Sequence, residues 1–228
     1  MTQRLKVRWP DPLPFIGVGG RPIRILAVSD EPDMSMDSAV TRQRIGAVDL
    51  IIGAGDLEPD YLSFVADAFH APLRYVRGNH DVGAAWSHTR RTLLPEPMRD
   101  GKVVEEGGLR LVGFSGSPIY SERGMQVSAL GMWARVIGSW SAAQRARPVI
   151  VVTHAPPRDV NDDEDKPHRG FTSFRWLADR LGPPLWLHGH TALVRRGLDD
   201  RTAVHNGTLF YNCTGATLIE LLPPDADG

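Results

Sequence analysis

Five short apolar runs in this 228-residue chain each end in a polar cluster, and this repetition limits how the chain can fold. Uninterrupted apolar runs of this length are typical of strands that are covered on both faces of a sheet. The polar residues that follow the five runs are, in chain order, Asp30, Asp56, Asn79 with His80, His154 and His190. In open α/β sheets, ligands bind beyond the carboxyl ends of the strands, so we expect these side chains to converge at one edge.

The segments between the runs carry helical and hairpin patterns. Residues 59–70 place apolar side chains at helical spacing, and we also expect helices near 40–45, 121–147 and 171–181. Residues 102–114 predict a hairpin that turns on two consecutive glycines. Since chains of this length usually share one core, we expect a single domain over residues 1–228, with an irregular N-terminal extension over 1–20.

The composition is that of an ordinary globular protein, with 42% hydrophobic and 23% charged residues. The net charge of −1 provides no global positive field for nucleic acid or for an anionic membrane. The adjacent pairs Arg90-Arg91 and Arg195-Arg196 form either a local basic patch or ordinary solvated surface. The start of the chain is charged and interrupted by proline, so we expect a cytoplasmic protein with no membrane partner.

The single cysteine restricts the covalent and metal chemistry of the chain. Cys213 has no second cysteine with which to form an internal disulfide, and a thiolate-rich metal cluster is likewise excluded. Its neighbours 209–212 are typical of a strand, which favours a buried structural thiol.

The polar residues at the strand ends combine carboxylates, an amide oxygen and imidazoles. In the absence of cysteine, this mixture suits a divalent transition metal such as Mn, Fe, Co, Ni or Zn. A carboxylate can bridge two cations about 4 Å apart, and Asp56, beside the small Gly55, is the candidate bridge by its place in the order.

The order and spacing of these clusters resemble those of the calcineurin-like metallophosphoesterases, from about Ile23 to Thr191. The matching blocks are Asp30-Glu31-Pro32, Gly55-Asp56-Leu57-Glu58, Gly78-Asn79-His80-Asp81, Thr153-His154-Ala155-Pro156 and Gly189-His190-Thr191-Ala192. The resemblance implies an α/β fold, a four-layer αββα sandwich in which two mixed β-sheets are flanked by helices. It also implies that Asp30, Asp56, Asn79, His154 and His190 bind metal.

Two positions depart from the family pattern. Pro32 stands where the first block has a histidine, and Ala192 stands where the last block has its second histidine. In the family, these two histidines bind the same metal, together with the first aspartate and the bridging aspartate. We therefore expect one firmly bound metal, on Asp56 and the three ligands that follow it, and a second metal that is weakly held or absent.

Other residues are candidates to complete the depleted site. His188 lies two residues before His190 on a strand, so it either joins the site or packs beside it. His168 ends a polar loop that follows the fourth block, and it either faces the site or lies in solvent. The acidic residues of that loop, and Glu31 and Asp33 of the first loop, are also candidate ligands, although charged loop residues ordinarily face solvent.

The resemblance also implies a mechanism. His80 protonates the departing oxygen, oriented by a nearby acid, and Asp81 is assigned to the catalytic group with it. A metal-bound hydroxide is the nucleophile. Arg77, beside the third block, either donates to the phosphoryl group or forms a salt bridge at the sheet rim.

We therefore expect a metal-dependent phosphoesterase that hydrolyses a small phosphomonoester or phosphodiester. The alternative is a non-catalytic scaffold of the same fold, which the missing histidines favour and the retained His80 and Asp81 disfavour. A nuclease that acts on long nucleic acid is disfavoured by the lack of a basic stripe. The sequence indicates no particular oligomeric state.

Overall fold

The computed structural model describes residues 2–87, 94–191 and 201–225. Strands β1 to β13 span Gln3–Arg8, Ile23–Ser29, Leu50–Gly53, Leu73–Tyr75, Val103–Glu106, Leu109–Phe114, Ser117–Pro118, Gln126–Val127, Ile150–Thr153, Leu185–His188, Thr202–His205, Thr208–Asn212 and Gly215–Leu222. Helices α1 to α6 span Leu13–Ile16, Ala39–Ile45, Pro59–Phe69, Ala84–Ser87, Ala129–Arg145 and Thr172–Leu181. Short 3-10 helices cover Met34–Asp37 and Lys166–His168.

The longer strands form two mixed sheets. The first sheet has the order β1-β13-β2-β3-β4, and within it β2, β3 and β4 run parallel. The second has the order β11-β12-β10-β9-β6-β5, with β12, β10, β9 and β6 parallel. Strands β7 and β8 pair separately. Parallel neighbours end at the same edge, so each sheet brings the loops after its parallel strands together.

The two sheets pack face to face, and helices cover their outer faces. Ile25 of β2 and Val152 of β9 belong to one buried cluster between the sheets. On the outer faces, Leu26 of β2 packs with residues of α2 and α3, and Val151 of β9 packs with residues of α5 and α6. Strands covered on both faces are apolar throughout, which explains the uninterrupted runs. The four-layer αββα sandwich predicted from the sequence is confirmed.

The N-terminal segment differs from the irregular extension expected over residues 1–20. It contains β1, which pairs in parallel with β13 at the edge of the first sheet, and the short helix α1. Val7 and Trp9 are buried in the cluster between the sheets, while Lys6 and Arg8 point to solvent. The physical reason is an alternation of apolar and charged residues, which forms a strand at a sheet edge where one face is exposed.

Most of the predicted elements have the expected positions. The hairpin of β5 and β6 turns at residues 107–108, and Cys213 is fully buried. The helix expected over 121–147 is shorter, because it begins after Ser128, whose side chain accepts a hydrogen bond from the N–H of Gly131. The two arginine pairs lie outside the described residues. Among the helices of the described part, none is long and apolar enough to span a membrane.

Candidate metal centre

Three of the strand-end residues adopt a left-handed backbone conformation. The φ angles are 57° at Asp30, 56° at Asp56 and 69° at His190. A residue with a β-carbon is strained in this region, at a cost of roughly 1–3 kcal/mol, and such residues concentrate at functional sites. The chain therefore turns sharply after β2, β3 and β10, which brings the three side chains to the same end of the sheets.

Two glycines of the motif blocks are required because the carboxylates approach them closely. A β-carbon on Gly78 would overlap the carboxylate of Asp56, and one on Gly189 would overlap that of Asp30. Only glycine leaves room for these oxygen atoms. Gly78 thus lets the loops after β3 and β4 of the first sheet meet, and Gly189 lets the loop after β10 of the second sheet approach the loop after β2 of the first.

The loop after β4 is held by the carboxylate of Asp81. Its Oδ2 accepts hydrogen bonds from the backbone N–H groups of Gly78 at 2.6 Å and Asp56 at 3.0 Å. Burial raises the pKa of Asp81 to about 6, although the N–H of Gly78 acts in the opposite direction. Asp81 was expected from the sequence to belong to the catalytic group with His80. Its hydrogen bonds to the backbone of two loops favour a positioning role for the carboxylate.

The imidazole of His154 is the centre of the site. It is fully buried, and its Nδ1 lies 2.9 Å from the carbonyl oxygen of Ala54, which can only accept. Nδ1 therefore carries a hydrogen atom. The other nitrogen, Nε2, lies 2.9 Å from Oδ1 of Asn79 and 3.2 Å from Oδ2 of Asp56, both of which are also acceptors.

Nε2 of His154, Oδ1 of Asn79 and Oδ2 of Asp56 each present a lone pair to the same point. Their mutual repulsion is relieved only by a proton on Nε2 or by a bound cation. Burial lowers the pKa of His154, but the charges of Asp56 and Asp30 and the Ala54 carbonyl outweigh burial and raise it to about 9. Burial raises the pKa of Asp56, but His154 and the N–H of His80 hold it below the ordinary value. The environment therefore favours a positive charge at this point.

His190 offers a further nitrogen atom. Its Nε2 donates to the carbonyl oxygen of Pro167 at 2.6 Å, and its ring lies 4.8 Å from that of His154, centroid to centroid. Burial lowers the pKa of His190 to about 3, and the charge of His154 acts in the same direction. A neutral ring with its hydrogen on Nε2 has its lone pair on Nδ1.

These donors fit a divalent transition metal. One ligand atom from each of Asp56, His154 and His190 lies within 4.8 Å of the other two, and Oδ1 of Asn79 is in hydrogen-bond contact with His154. A carboxylate, an amide oxygen and two imidazoles suit Mn, Fe, Co, Ni or Zn. The Ala54 and Pro167 carbonyls fix the ring orientations, as groups hydrogen-bonded to metal-binding histidines generally do.

Asp30 lies at the edge of this group, and protein donors already surround it. Its carboxylate accepts hydrogen bonds from the N–H of His190 at 3.0 Å, the hydroxyl of Ser29 at 2.6 Å and the hydroxyl of Thr214 at 3.3 Å. Burial raises its pKa above the ordinary value. Pro32 is exposed, and Ala192 lies outside the described residues. Asp30 therefore ties the two sheets together at the depleted site.

The other candidate ligands divide into two groups. His188 contacts the Gly189 carbonyl through Nδ1 and the Asn161 amide through Nε2, so it packs behind the site. Asp33 accepts a hydrogen bond from the N–H of Ser35 and caps the 3-10 helix. His168 instead faces the site, with its ring 5.5 Å from that of His190, and its Nδ1 donates to Asp165 at 2.9 Å.

Arg77 takes part in the loop structure. Its guanidinium donates to the carbonyl oxygen of Asp81 and lies 4.7 Å from the ring centroid of Trp86. It is not among the residues that line the cavity at the site. The geometry therefore favours a structural role for Arg77. Its partners are a backbone carbonyl and an aromatic ring, whereas a salt bridge was the expected structural alternative.

A cavity of 400 Å³ opens over this group of residues, and we call it the site cavity. It is lined by Asp30, Asp56, Asn79, His80, Tyr120, Pro167, His168 and His190. Two groups at the site were not expected from the sequence. The hydroxyl of Tyr120 accepts a hydrogen bond from Nδ2 of Asn79 at 2.9 Å, and the carbonyl of Pro167 contacts His190. Neither stands in a motif block, and the chain pattern around them gave no indication of their proximity to the site.

The fold and the site define the class of protein. The carboxyl ends of the parallel strands of both sheets bring carboxylates, an amide and imidazoles to one cavity at one end of an αββα sandwich, which is the arrangement of a metallophosphoesterase. The family model of the calcineurin-like phosphoesterases matches residues 24–193. The chain belongs to this family, whose members typically bind divalent metals.

Solved structures also resemble this chain at low sequence identity. One superposes with a TM-score of 0.60 at 13% identity, covering 87% of this chain and 95% of its own. TT1561 of Thermus thermophilus gives 0.57 at 14% identity, with 85% and 90% coverage. Vps29 of Entamoeba histolytica, complexed with Zn²⁺, gives 0.40 at 12% identity, with 86% and 76% coverage. No curated protein matches the sequence.

Proposed function

We propose that the protein is a metal-dependent phosphoesterase that hydrolyses a small phosphomonoester or phosphodiester. One observation carries the proposal: Nε2 of His154 faces the oxygen acceptors of Asn79 and Asp56, and a cation satisfies all three. The ligands would be Asp56, Asn79, His154 and His190, and the ion Mn, Fe, Co, Ni or Zn. When bound, the ion stabilises charge on the phosphoryl oxygens and lowers the pKa of water.

His80 acts as the general acid in this proposal. Its ring is exposed and borders the site cavity, and its backbone N–H donates to Oδ1 of Asp56 at 2.8 Å. The backbone anchor fixes the start of the side chain beside the reacting group, while the ring stays free to reach a leaving oxygen. A proton delivered there compensates the charge that develops as the ester bond breaks.

Tyr120 contributes a hydrogen bond to the substrate. Its hydroxyl oxygen already accepts from Asn79, so its own hydrogen is free to bond with a phosphoryl oxygen in the cavity. Burial raises the pKa of Tyr120, as does the charge of Asp56, so the phenol keeps its proton at neutral pH. Tyr120 therefore both orients the proposed metal ligand Asn79 and donates a hydrogen bond to the substrate.

The proposal is tested by metal content and hydrolysis together. Protein purified without chelator is expected to hold metal, and to cleave p-nitrophenyl phosphate or bis(p-nitrophenyl) phosphate when loaded with one of the five metals. His154→Ala should lose both the metal and the activity. The control is His70→Asn, at an exposed C-cap of α3 where asparagine tolerates the left-handed backbone.

Two outcomes contradict the proposal. Unchanged metal content in folded His154→Ala would show that the metal lies elsewhere. Metal bound at this site without hydrolysis of either ester would favour the alternative, a non-catalytic scaffold of the same fold.

A further inference from the structure

A second cavity adjoins the site cavity. It has a volume of 720 Å³, and we call it the side groove. Tyr120 lines both cavities, and the 3-10 helix at 166–168 borders both as well. Pro167 and His168 line the site cavity, whereas Lys166 and Arg169 line the side groove. A molecule whose phosphoryl group occupies the site cavity can therefore extend past Tyr120 into the side groove.

The side groove has a positive lining. Its charged lining residues are Glu122, Arg158, Lys166 and Arg169, three of them cationic. Arg158 is committed to ion pairs with Asp162 at 2.7 Å and with Glu164 at 2.8 Å. These two pairs neutralise the Arg158 charge, so the positive character of the lining comes from Lys166 and Arg169, against the single lining carboxylate of Glu122.

Lys166 and Arg169 are the cations available to a ligand. Lys166 is exposed, and its ammonium group forms no ion pair with any other residue of the described ranges 2–87, 94–191 and 201–225. Arg169 donates to the backbone carbonyl of Glu164 at 2.9 Å and forms a long ion pair with the exposed carboxylate of Glu164 at 3.9 Å, and its own side chain remains half exposed. Both therefore retain donors that an anion in the groove can reach.

The rest of the lining includes apolar surface. Ile119 is 62% exposed although it is a large hydrophobic residue, and it lies beside Tyr120 in the chain. Phe171 forms part of the lining on the side of α6. A cavity of this size with apolar walls and a few charged groups suits a small organic molecule.

We propose that the side groove holds the leaving group of the substrate, and that this leaving group carries a second anionic group, a phosphate or a carboxylate, bound by Lys166 with Arg169. The inference rests on the proposed function and narrows its substrate class. An organic body packs against Ile119 and Phe171 in this arrangement, between the scissile phosphoryl group and the second anion. A phosphoester with an uncharged leaving group offers no anion to the Lys166 ammonium group.

Two non-hydrolysable ligands test the proposal by calorimetry on the metal-loaded protein. Hexylphosphonate and 6-phosphonohexanoate have chains of the same length, and only the second has a terminal carboxylate. We expect 6-phosphonohexanoate to bind more tightly to the unmodified protein. Lys166→Gln should weaken its binding about threefold and Lys166→Glu about tenfold, with less than a twofold effect on hexylphosphonate. Lys102→Gln, an exposed lysine outside the groove, should change neither affinity.

The binding experiment tests the assignment of the side groove separately from the proposed hydrolysis. A preference for hexylphosphonate, or equal weakening of both ligands by Lys166→Glu, would overturn the assignment of the side groove. Because binding is measured without turnover, it is independent of the hydrolysis assay. Failure to hydrolyse either p-nitrophenyl ester would remove the proposed function, while a carboxylate preference that depends on Lys166 would still establish the anion site.

Discussion

Oδ1 of Asn79 lies 2.9 Å from Nε2 of His154, and this contact depends on a third residue, since the other end of the Asn79 amide donates to the hydroxyl of Tyr120 at 2.9 Å. An amide can rotate by half a turn and exchange its oxygen and nitrogen. In the observed orientation the Tyr120 hydroxyl accepts from the nitrogen, while the Asn79 oxygen faces the metal centre.

Tyr120→Phe should therefore weaken metal binding. The phenylalanine ring keeps the packing but removes the acceptor for Nδ2, and loss of such a supporting hydrogen bond costs about tenfold in metal affinity. Competition with a chelator measures the dissociation constant. The control is Tyr61→Phe, which removes a hydroxyl that accepts from the N–H of Asp33 and lies outside the site cavity. Equal metal affinity in both variants would contradict the orienting role.

The role of His80 as general acid is tested by comparing substrates with poor and good leaving groups. His80→Asn should keep the metal, because the His80 ring lines the cavity and is not one of the proposed ligands. The backbone N–H that bonds to Asp56 is preserved in the variant. Hydrolysis of phenyl phosphate should fall roughly 10²–10⁴-fold, whereas p-nitrophenyl phosphate, with its better leaving group, should lose much less. Steady-state rates on both esters give the comparison. Equal losses would indicate a structural role for His80.

Much of this site could be predicted from the sequence, because its residues directly follow strands that are recognisable as apolar runs. Asp30, Asp56 and His154 each follow an apolar run, and parallel strands end at a common edge, so the local pattern also implies the tertiary arrangement. The αββα layers follow from the same runs, since strands buried on both faces need a cover on each side.

The features that were missed depend on contacts between distant parts of the chain. Tyr120 meets Asn79 across 41 positions and the Pro167 carbonyl meets His190 across 23, and neither has a sequence pattern of its own. Asp81 stands in a motif block, but the sequence does not show that its carboxylate bonds to backbone N–H groups. Strand β1 was missed because charged residues alternate with its apolar ones, as on a half-exposed edge.

Gly78 should be among the least replaceable residues of the site. A β-carbon there would overlap the Asp56 carboxylate, so Gly78→Ala should abolish metal binding and lower the free energy of unfolding by about 2 kcal/mol. Gly138→Ala is the matched control, because Gly138 lies in the interior of α5 with open space around it. That change should raise stability by about 0.5–1 kcal/mol. Metal analysis and urea denaturation give both quantities, and normal metal content in Gly78→Ala would refute the close approach.

A surface pair should make stability depend on pH. Asp49 accepts hydrogen bonds from the Arg21 guanidinium at 2.6 Å and from the N–H of Arg24 at 2.8 Å. Burial raises the pKa of Asp49, but these donors outweigh burial and hold it below the ordinary value. A folded pKa below the unfolded one stabilises the protein above the unfolded value, and this contribution is lost as the pH falls through the folded pKa.

Asp49→Asn should therefore lower the free energy of unfolding by about 1 kcal/mol at pH 6 and by less below pH 4. Urea denaturation at pH values from 6 to 3 measures the difference between the two proteins. Asp67→Asn is the control, because Asp67 is exposed and has no ion pair within the described ranges of the chain. A difference that stays constant over this range would show that the carboxylate charge does not contribute.

The depleted second site should leave the protein with one metal per chain. Asp30 already accepts three hydrogen bonds, and His188 is committed to Gly189 and Asn161, so neither is free to build a second strong site. Two carboxylates alone, those of Asp30 and Asp56, hold a divalent ion weakly. Metal analysis after dialysis should give a ratio of metal to protein near one, and Pro32→His together with Ala192→His should raise this ratio toward two by restoring the family's histidines.

The control for this double variant is Pro32→Asn with Ala192→Ser, since these polar residues add no imidazole. Two tightly held metals in the unmodified protein would contradict this account, unless His168, which already faces the site cavity, proved to be a ligand of the second.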